Sequence, residues 1–274
     1  MEALRSRLPD VKSVDVLGPE AVDLTSRADV AELQAETAAL LAGRPLDHCI
    51  QPPEGRRKGL LIADMDSTII SCECLDELAD YAGVKAEIAA VTERAMRGEL
   101  EFEPALRERV ARLRGLSTDV LQRCYDERVR LNPGAAVMVR TMAGHGARAV
   151  LVSGGFEFFT GRVAAAAGFS DHRGNHLIEA NGRLTGEVGD PILGRQAKLD
   201  ALQREAGQLG IPLSATLAIG DGANDLAMIE AAGLGVAYRA KPVVAERAAA
   251  RIDHCDLTAL LYFQGYRHDQ FAAI

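Results

Sequence analysis

The chain lacks an excess of positive charge: 31 basic residues stand against 39 acidic ones, a net charge of -8. That balance opposes non-specific binding to nucleic acid or to an anionic membrane surface, and it favours small-molecule chemistry. Paired cysteines are also missing. Cys49, Cys72, Cys74, Cys124 and Cys255 are odd in number, scattered and without CxxC spacing, so neither a disulfide framework nor a zinc site is expected, and a reducing cytosol fits. The N-terminus Met1-Glu2-Ala3-Leu4-Arg5 lacks the basic-then-apolar pattern of a signal peptide, and no apolar run approaches the length of a membrane span. A soluble, cytoplasmic chain is expected. No internal repeat is visible, and the alanine run at 164–167 is the one biased tract.

What is present is 274 residues with 48% hydrophobic content, enough for one sizeable core and smaller satellites. The first segment reads as a strand at 11–16, a helix at 29–41 and a short strand at 48–51, a small βαβ-like module. It closes on the charged link Pro52-Pro53-Glu54-Gly55-Arg56-Arg57-Lys58, a natural boundary. Three apolar runs follow, at 59–63, 147–152 and 215–219, each ending in small and polar residues and then a helical pattern. Such runs suit strands buried on both faces of a parallel sheet, whose ligands bind beyond the strands' carboxyl ends. Between the first two lie about seventy residues of helical periodicity with many i,i+4 charge pairs, which reads as an inserted cap. Asn181-Gly182 between two strand-like runs reads as a type I′ hairpin.

Directly after the first buried strand stands Asp64-Met65-Asp66-Ser67-Thr68, in which Asp64 and Asp66 can converge on one point beyond the strand end. Taken alone, they are equally two turn-favouring residues at a strand terminus. The last buried strand leads into Gly220-Asp221-Gly222-Ala223-Asn224-Asp225, short oxygen-bearing side chains of the kind a hard cation takes. Carboxylates gathered from two such loops would repel one another unless a metal neutralised them, and Mg²⁺ is the natural candidate. After the middle strand, Ser153-Gly154-Gly155-Phe156 opens a helix and offers a hydroxyl with free N–H groups, an anion site. Lys198, at a later helix start, is on its own an ordinary solvated lysine. Together the four elements fit phosphoryl transfer from a monoester to a carboxylate and then to water.

DMDST at 64–68, VSGGF at 152–156, Lys198 and GDGAND at 220–225 resemble, in order and in strand context, the motifs of the haloacid dehalogenase superfamily. The wording is most similar to the branch that acts on phosphoserine, over residues 59–266. The resemblance implies an α/β fold: a Rossmann-like core with a parallel sheet at 56–71 and 135–274, a helical cap at 72–134, and the small N-terminal segment at 1–55. It implies a Mg²⁺-dependent phosphatase hydrolysing O-phospho-L-serine, the last step of serine biosynthesis. Asp64 is then the nucleophile and Asp66 the acid and base. Asp64, the Asp66 carbonyl and Asp221 hold the metal with Asn224 and Asp225 in support, and Ser153, Gly154 and Lys198 hold the phosphoryl group. Asn224 is also expected among the substrate-binding residues. Glu73 and Arg109 match the residues that receive the substrate ammonium and carboxylate, with Phe102 and Met96 closing the apolar side. A zwitterion does need one anion and one planar bidentate cation.

Met65 stands where many members carry Phe, and it is expected to point away from the metal. The N-terminal segment is shorter than the regulatory domains of some relatives and is expected to pack on the core or to mediate a homodimer. Three other readings remain open on the sequence: a phosphatase for another small phosphomonoester, a phosphotransferase, and a catalytically silent binding protein. A sugar phosphate would leave Glu73 and Arg109 without partners, and the filled catalytic positions speak against silence.

Overall fold

The computed structural model describes residues 6–96 and 99–273, and for Met96 the backbone alone, so the expectation for the Met96 side chain lies outside the described residues. Six parallel strands form the central sheet, in the order β10 (Ala250–Ile252), β9 (Leu234–Tyr238), β8 (Thr216–Gly220), β3 (Leu60–Ala63), β4 (Arg148–Phe156), β5 (Asp171–Asn175). The three apolar runs of the sequence are its middle: β3, β4 and β8. Outside them lie β5, β9 and β10. The chain builds β4 and β5 on one side of β3, then crosses to build β8, β9 and β10 on the other. That reversal opens a crevice at the carboxyl ends of β3 and β8, where open α/β sheets place their ligands. All four β3 side chains are buried, alternating between two apolar layers: Leu61 and Ala63 in the larger, Leu60 and Ile62 in the smaller.

The longer helices, with one short one after β8, are α1 (Val30–Leu41), α2 (Cys74–Ala82), α3 (Lys85–Met96), α4 (Phe102–Ala111), α5 (Asp119–Arg128), α6 (Ala135–Gly144), α7 (Glu157–Ala167), α8 (Arg195–Leu209) and α9 (Leu226–Ala231). Helices α2 to α5 form the insertion between β3 and α6. Its two connections are zipped together: Ser71 N–H donates to Arg130 O at 3.0 Å and Asn132 N–H to Ile69 O at 2.8 Å. The hairpin of β6 (Leu177–Ala180) and β7 (Arg183–Val188) turns through Asn181 at φ 52° and Gly182 at φ 72°, the left-handed pair that a type I′ turn needs. It grips the insertion from the core side, with Gly115 N–H on Leu184 O at 2.8 Å and Leu184 N–H on Leu116 O at 2.9 Å.

The N-terminal segment is not strand-helix-strand. β1 (Val11–Gly18) and β2 (Ala21–Ser26) form an antiparallel hairpin ahead of α1, and residues 46–50 belong to no strand. The reason lies in the alternating Ala21-Val22-Asp23-Leu24-Thr25, which pairs back across the Pro19-Glu20 turn. The later stretch is instead tied down by one side chain, the Asp47 carboxylate accepting the N–H groups of Asp253, His254 and Cys255. The charged link is likewise pinned. Arg56 pairs with Asp23 at 2.5 Å and donates to the carbonyls of Tyr262 and Phe263, and Lys58 Nζ donates to Ser214 O at 2.8 Å.

Candidate active site

β3 ends at Ala63, and the next residue, Asp64, keeps extended backbone while its N–H donates to Ile219 O of β8 at 3.0 Å. The chain then closes a tight loop in which Ile70 N–H reaches back to Met65 O at 3.0 Å and Ser67 sits at φ 57°. A left-handed residue other than glycine costs about 1–3 kcal/mol and persists only where its surroundings hold it. Here the Asn132 amide donates to Thr68 O at 2.8 Å and Ile70 O at 3.1 Å, and the Ser67 hydroxyl donates to Glu73 Oε1 at 2.6 Å. Met65 is wholly buried in the larger apolar layer.

The loop aims Asp64 and Asp66 at different partners. Asp64 Oδ1 accepts from Lys198 Nζ at 2.6 Å, and the same ammonium donates to Asp225 Oδ1 at 2.5 Å. Lys198 is only 2% exposed, so the first turn of α8 delivers it inward rather than to solvent. Burial alone would lower its pKa; the charges of Asp225 and Asp64 overturn that and hold it above the ordinary lysine value. Asp64, Asp221 and Asp225 bring carboxylate oxygens within 4.8 Å of one another. Burial, then the charge of Asp225, raises Asp64 well above the usual carboxylate range against the pull of Lys198. The same two causes, with Glu73, push Asp221 up to about 6. One ammonium against three carboxylates leaves a surplus of negative charge in a poorly solvated place, and the second oxygen of Asp64 takes no hydrogen bond from a described residue. Such a donor set fits a divalent cation.

The Asp66 carboxylate lies outside that trio. Oδ1 accepts the Cys74 N–H at 2.9 Å and Oδ2 the Ser153 hydroxyl at 3.2 Å, while burial and the charge of Glu73 push it up to about 6. The segment 153–156 leads into a helix as its sequence suggested, but as the end of a strand rather than as the helix's first turn. β4 runs on through Phe156 with its register shifted after Val152, and α7 begins at Glu157. The strand is irregular there, and the Gly155 N–H folds back onto Ser153 Oγ at 2.8 Å.

From the insertion, Phe102 lays its ring on the core so closely that a Cβ on Gly154 would stand 3.1 Å from it and one on Gly194 3.2 Å. A cleft of about 520 Å³ runs along this seam, lined among others by Phe102, Leu193, Gly194 and Arg195. A larger cavity of about 660 Å³ between α1 and β10 touches none of the clustered carboxylates, so its size does not make it the reacting site. Arg109, on α4, is half-buried, its Nε on Ala105 O at 3.2 Å and its guanidinium in no ion pair with a described residue. Burial lowers its pKa while Asp76 and Glu73 work against that. Glu73 is thus close enough to act on Asp66, Asp221 and Arg109 alike. Asn224 is half-buried with its Oδ1 turned back over Gly222, and no hydrogen bond ties it to the other site residues described.

A family model of haloacid dehalogenase-like hydrolases matches residues 61–230. The chain belongs to that family. It is 47% identical over 207 residues to a phosphoserine phosphatase of Polaromonas, covering 74% of this chain and 88% of the relative. A solved haloacid dehalogenase family hydrolase from Salmonella enterica serovar Typhi superposes with a TM-score of 0.82 at 32% identity, over 88% of this chain and 83% of the other. A phosphoserine phosphatase solved as a phospho-aspartyl intermediate analogue superposes at 0.70 with 36% identity, over 76% of this chain and 99% of the other.

Three residues of this haloacid dehalogenase-like site were given no role by the sequence, although Thr68 stands inside the DMDST motif. Thr68 donates to Asp221 Oδ1 at 3.1 Å and so joins the two acidic loops; Asn132 holds the carbonyls of Thr68 and Ile70; Asn175 donates to Gly154 O at 2.8 Å. Buried asparagines are the class to search for such roles, since an amide out of water must find partners. Asp225, expected only in support, is one of the three clustered carboxylates.

Proposed function

We propose that the chain is a phosphoserine phosphatase, hydrolysing O-phospho-L-serine to L-serine and phosphate in the cytoplasm with Mg²⁺ as its metal. The observation that carries the substrate is the placement of Glu73 and Arg109. An exposed carboxylate acts on the catalytic acids from one side, and a half-buried guanidinium with no ion pair among the described residues lies near enough to feel it. Together they suit an ammonium and a carboxylate on one small molecule. The named relatives support the same reading. Residues 72–134 serve as the cap, 56–71 with 135–274 as the catalytic core, and 1–55 as an accessory segment.

The oxygen of Asp64 that Lys198 leaves free attacks phosphorus. The bond from phosphorus to the seryl oxygen breaks, and Asp66 gives its proton to that oxygen. Water then attacks the aspartyl-phosphate, Asp66 takes the water's proton, and the P–O bond to Asp64 breaks to release phosphate. A carboxyl raised to about 6 by burial and Glu73 is poised to give and to take a proton near neutral pH. Lys198 spends two of its three N–H bonds on Asp64 and Asp225 and keeps one for a phosphoryl oxygen, beside the Gly154 N–H, while Ser153 borders the same group with its hydroxyl proton on Asp66. Asp64, Asp221 and the Asp66 carbonyl would hold Mg²⁺, with Asn224 and Asp225 in support; the ion would neutralise the carboxylates and the charge developing on the phosphoryl oxygens.

The test is phosphate release from phosphoserine, phosphohomoserine and glucose phosphates, with Mg²⁺ and with EDTA. Strong Mg²⁺-dependent preference for phosphoserine is expected. Preference for a sugar phosphate would discard the roles of Glu73 and Arg109, and inactivity on the whole panel would discard the enzyme.

A further inference from the structure

Asn175, the last residue of β5, is 1% exposed and lies behind the site rather than in it. Its side chain is fully engaged. Oδ1 accepts the Leu193 N–H at 2.7 Å, and Nδ2 donates to Gly154 O at 2.8 Å and to Leu193 O at 3.3 Å. The first and third of these bind Leu193 as a neighbouring strand would, just ahead of the helix that carries Lys198. The second begins a chain of hydrogen bonds. The Gly154 carbonyl belongs to the same peptide unit as the Gly155 N–H, which donates to Ser153 Oγ at 2.8 Å; Ser153 in turn donates to Asp66 Oδ2 at 3.2 Å.

We infer that Asn175 is a positioning residue for the leaving-group step: by fixing the Gly154–Gly155 peptide it aims the Ser153 hydroxyl at Asp66 and so holds the Asp66 carboxyl where it meets the leaving oxygen. A peptide unit is planar, so a donor on its carbonyl sets the direction of its N–H. With Gly155 N–H filling one lone pair of Ser153 Oγ, the hydroxyl proton is left to point at Asp66, and each bond in such a chain polarises the next. Two glycines would otherwise let this peptide rotate. Residue 155 must also be glycine for the chain to close, because a Cβ there would stand 2.8 Å from Asp66 Oδ2 and 3.1 Å from Ser153 Oγ.

The inference rests on the phosphatase reading, and the experiment separates the two. Wild type, Asn175→Ala and Asn175→Asp are compared on phosphoserine, whose alkoxide leaves only with a proton, and on p-nitrophenyl phosphate, whose phenolate leaves without one. Asn175→Asp is nearly the same shape and keeps an acceptor for Leu193 N–H, but it has nothing to donate to the two carbonyls. Both variants are expected to lose about a hundredfold in kcat on phosphoserine, in the range of a displaced general acid. In the first turnover of the aryl ester, read as the burst of p-nitrophenolate before Asp66 is needed as a base, the loss should stay within about fivefold. Equal loss on both esters, whether through unfolding or through damage to the whole phosphoryl cradle, overturns the role, as does unchanged turnover of phosphoserine. If wild type prefers another aliphatic phosphomonoester, phosphoserine as substrate fails, and that ester against the aryl one still reads Asn175.

Discussion

Lys198 Nζ donates to Asp64 Oδ1 at 2.6 Å where both side chains are almost wholly out of water, and Asp225, on the far side of the ammonium, is completely buried. The lysine therefore does two things. It orients the nucleophile and it makes two buried carboxylates tolerable. Removing one partner of such a group leaves an uncompensated charge, which costs about 3–5 kcal/mol. Lys198→Met is expected to lose stability of that order in urea melts and to be inactive. Adding Asp225→Asn should return part of the stability and none of the activity.

Asp64→Asn should leave a folded protein, since an amide occupies the same space and Lys198 keeps Asp225 as partner. Turnover is expected to fall by at least about a thousandfold, because an amide cannot form the covalent intermediate. Steady-state phosphate release checks this, with circular dichroism as the control for folding; substantial residual activity would remove Asp64 as nucleophile.

The clustered carboxylates make stability depend on metal and on pH together. Without metal, burial and neighbouring charge let Asp221 and Asp66 keep protons up to about 6. The unfolded chain releases the same protons near pH 4. The folded state then binds more protons across that window, so stability in EDTA should fall as pH rises from about 4 to about 6, opposite to the behaviour of carboxylates in ion pairs. A divalent ion binding the ionised cluster reverses the trend, adding about 2.7 kcal/mol at a hundred times its Kd. Melting temperatures with Mg²⁺ and with EDTA at pH 5 and pH 7.5 measure this; an equal Mg²⁺ shift at the two pH values would show the ion binding elsewhere.

Arg109→Ala should lower kcat/KM on phosphoserine by about 30- to 100-fold, the equivalent of one lost charged hydrogen-bonding partner. On p-nitrophenyl phosphate, which has no carboxylate, the change should be within about threefold. A similar loss on both would take Arg109 out of substrate recognition.

Arg56 joins the N-terminal hairpin to the core through Asp23 and the carbonyls of Tyr262 and Phe263. Arg56→Ala should cost about 2–4 kcal/mol through these half-buried bonds, with kcat unchanged because none of them reaches the carboxylate cluster. A fall in kcat without loss of stability would tie the N-terminal segment to catalysis.

The order of the chemistry is legible along the chain itself. Apolar runs at 59–63, 147–152 and 215–219 suit strands covered on both faces, and acidic or glycine-rich loops behind each of them must then meet at one end of a sheet. Asn181-Gly182 marks its turn because few residues accept two left-handed positions in a row. Long-range partnership decided the rest. Nothing near Lys198 in the sequence says that it is buried, since its partners Asp64 and Asp225 lie 134 and 27 residues away. The same holds for Asn175, whose bonds to Gly154 and Leu193 span 21 and 18 residues, and for the first segment, where the strand expected at 48–51 did not form and Arg56 ties the hairpin's Asp23 to the C-terminal residues. Periodicity and turn chemistry are local and can be read along the chain. The burial of a charge, and the aim of a hydroxyl, depend on which distant groups arrive beside it, and those are properties of the tertiary structure alone.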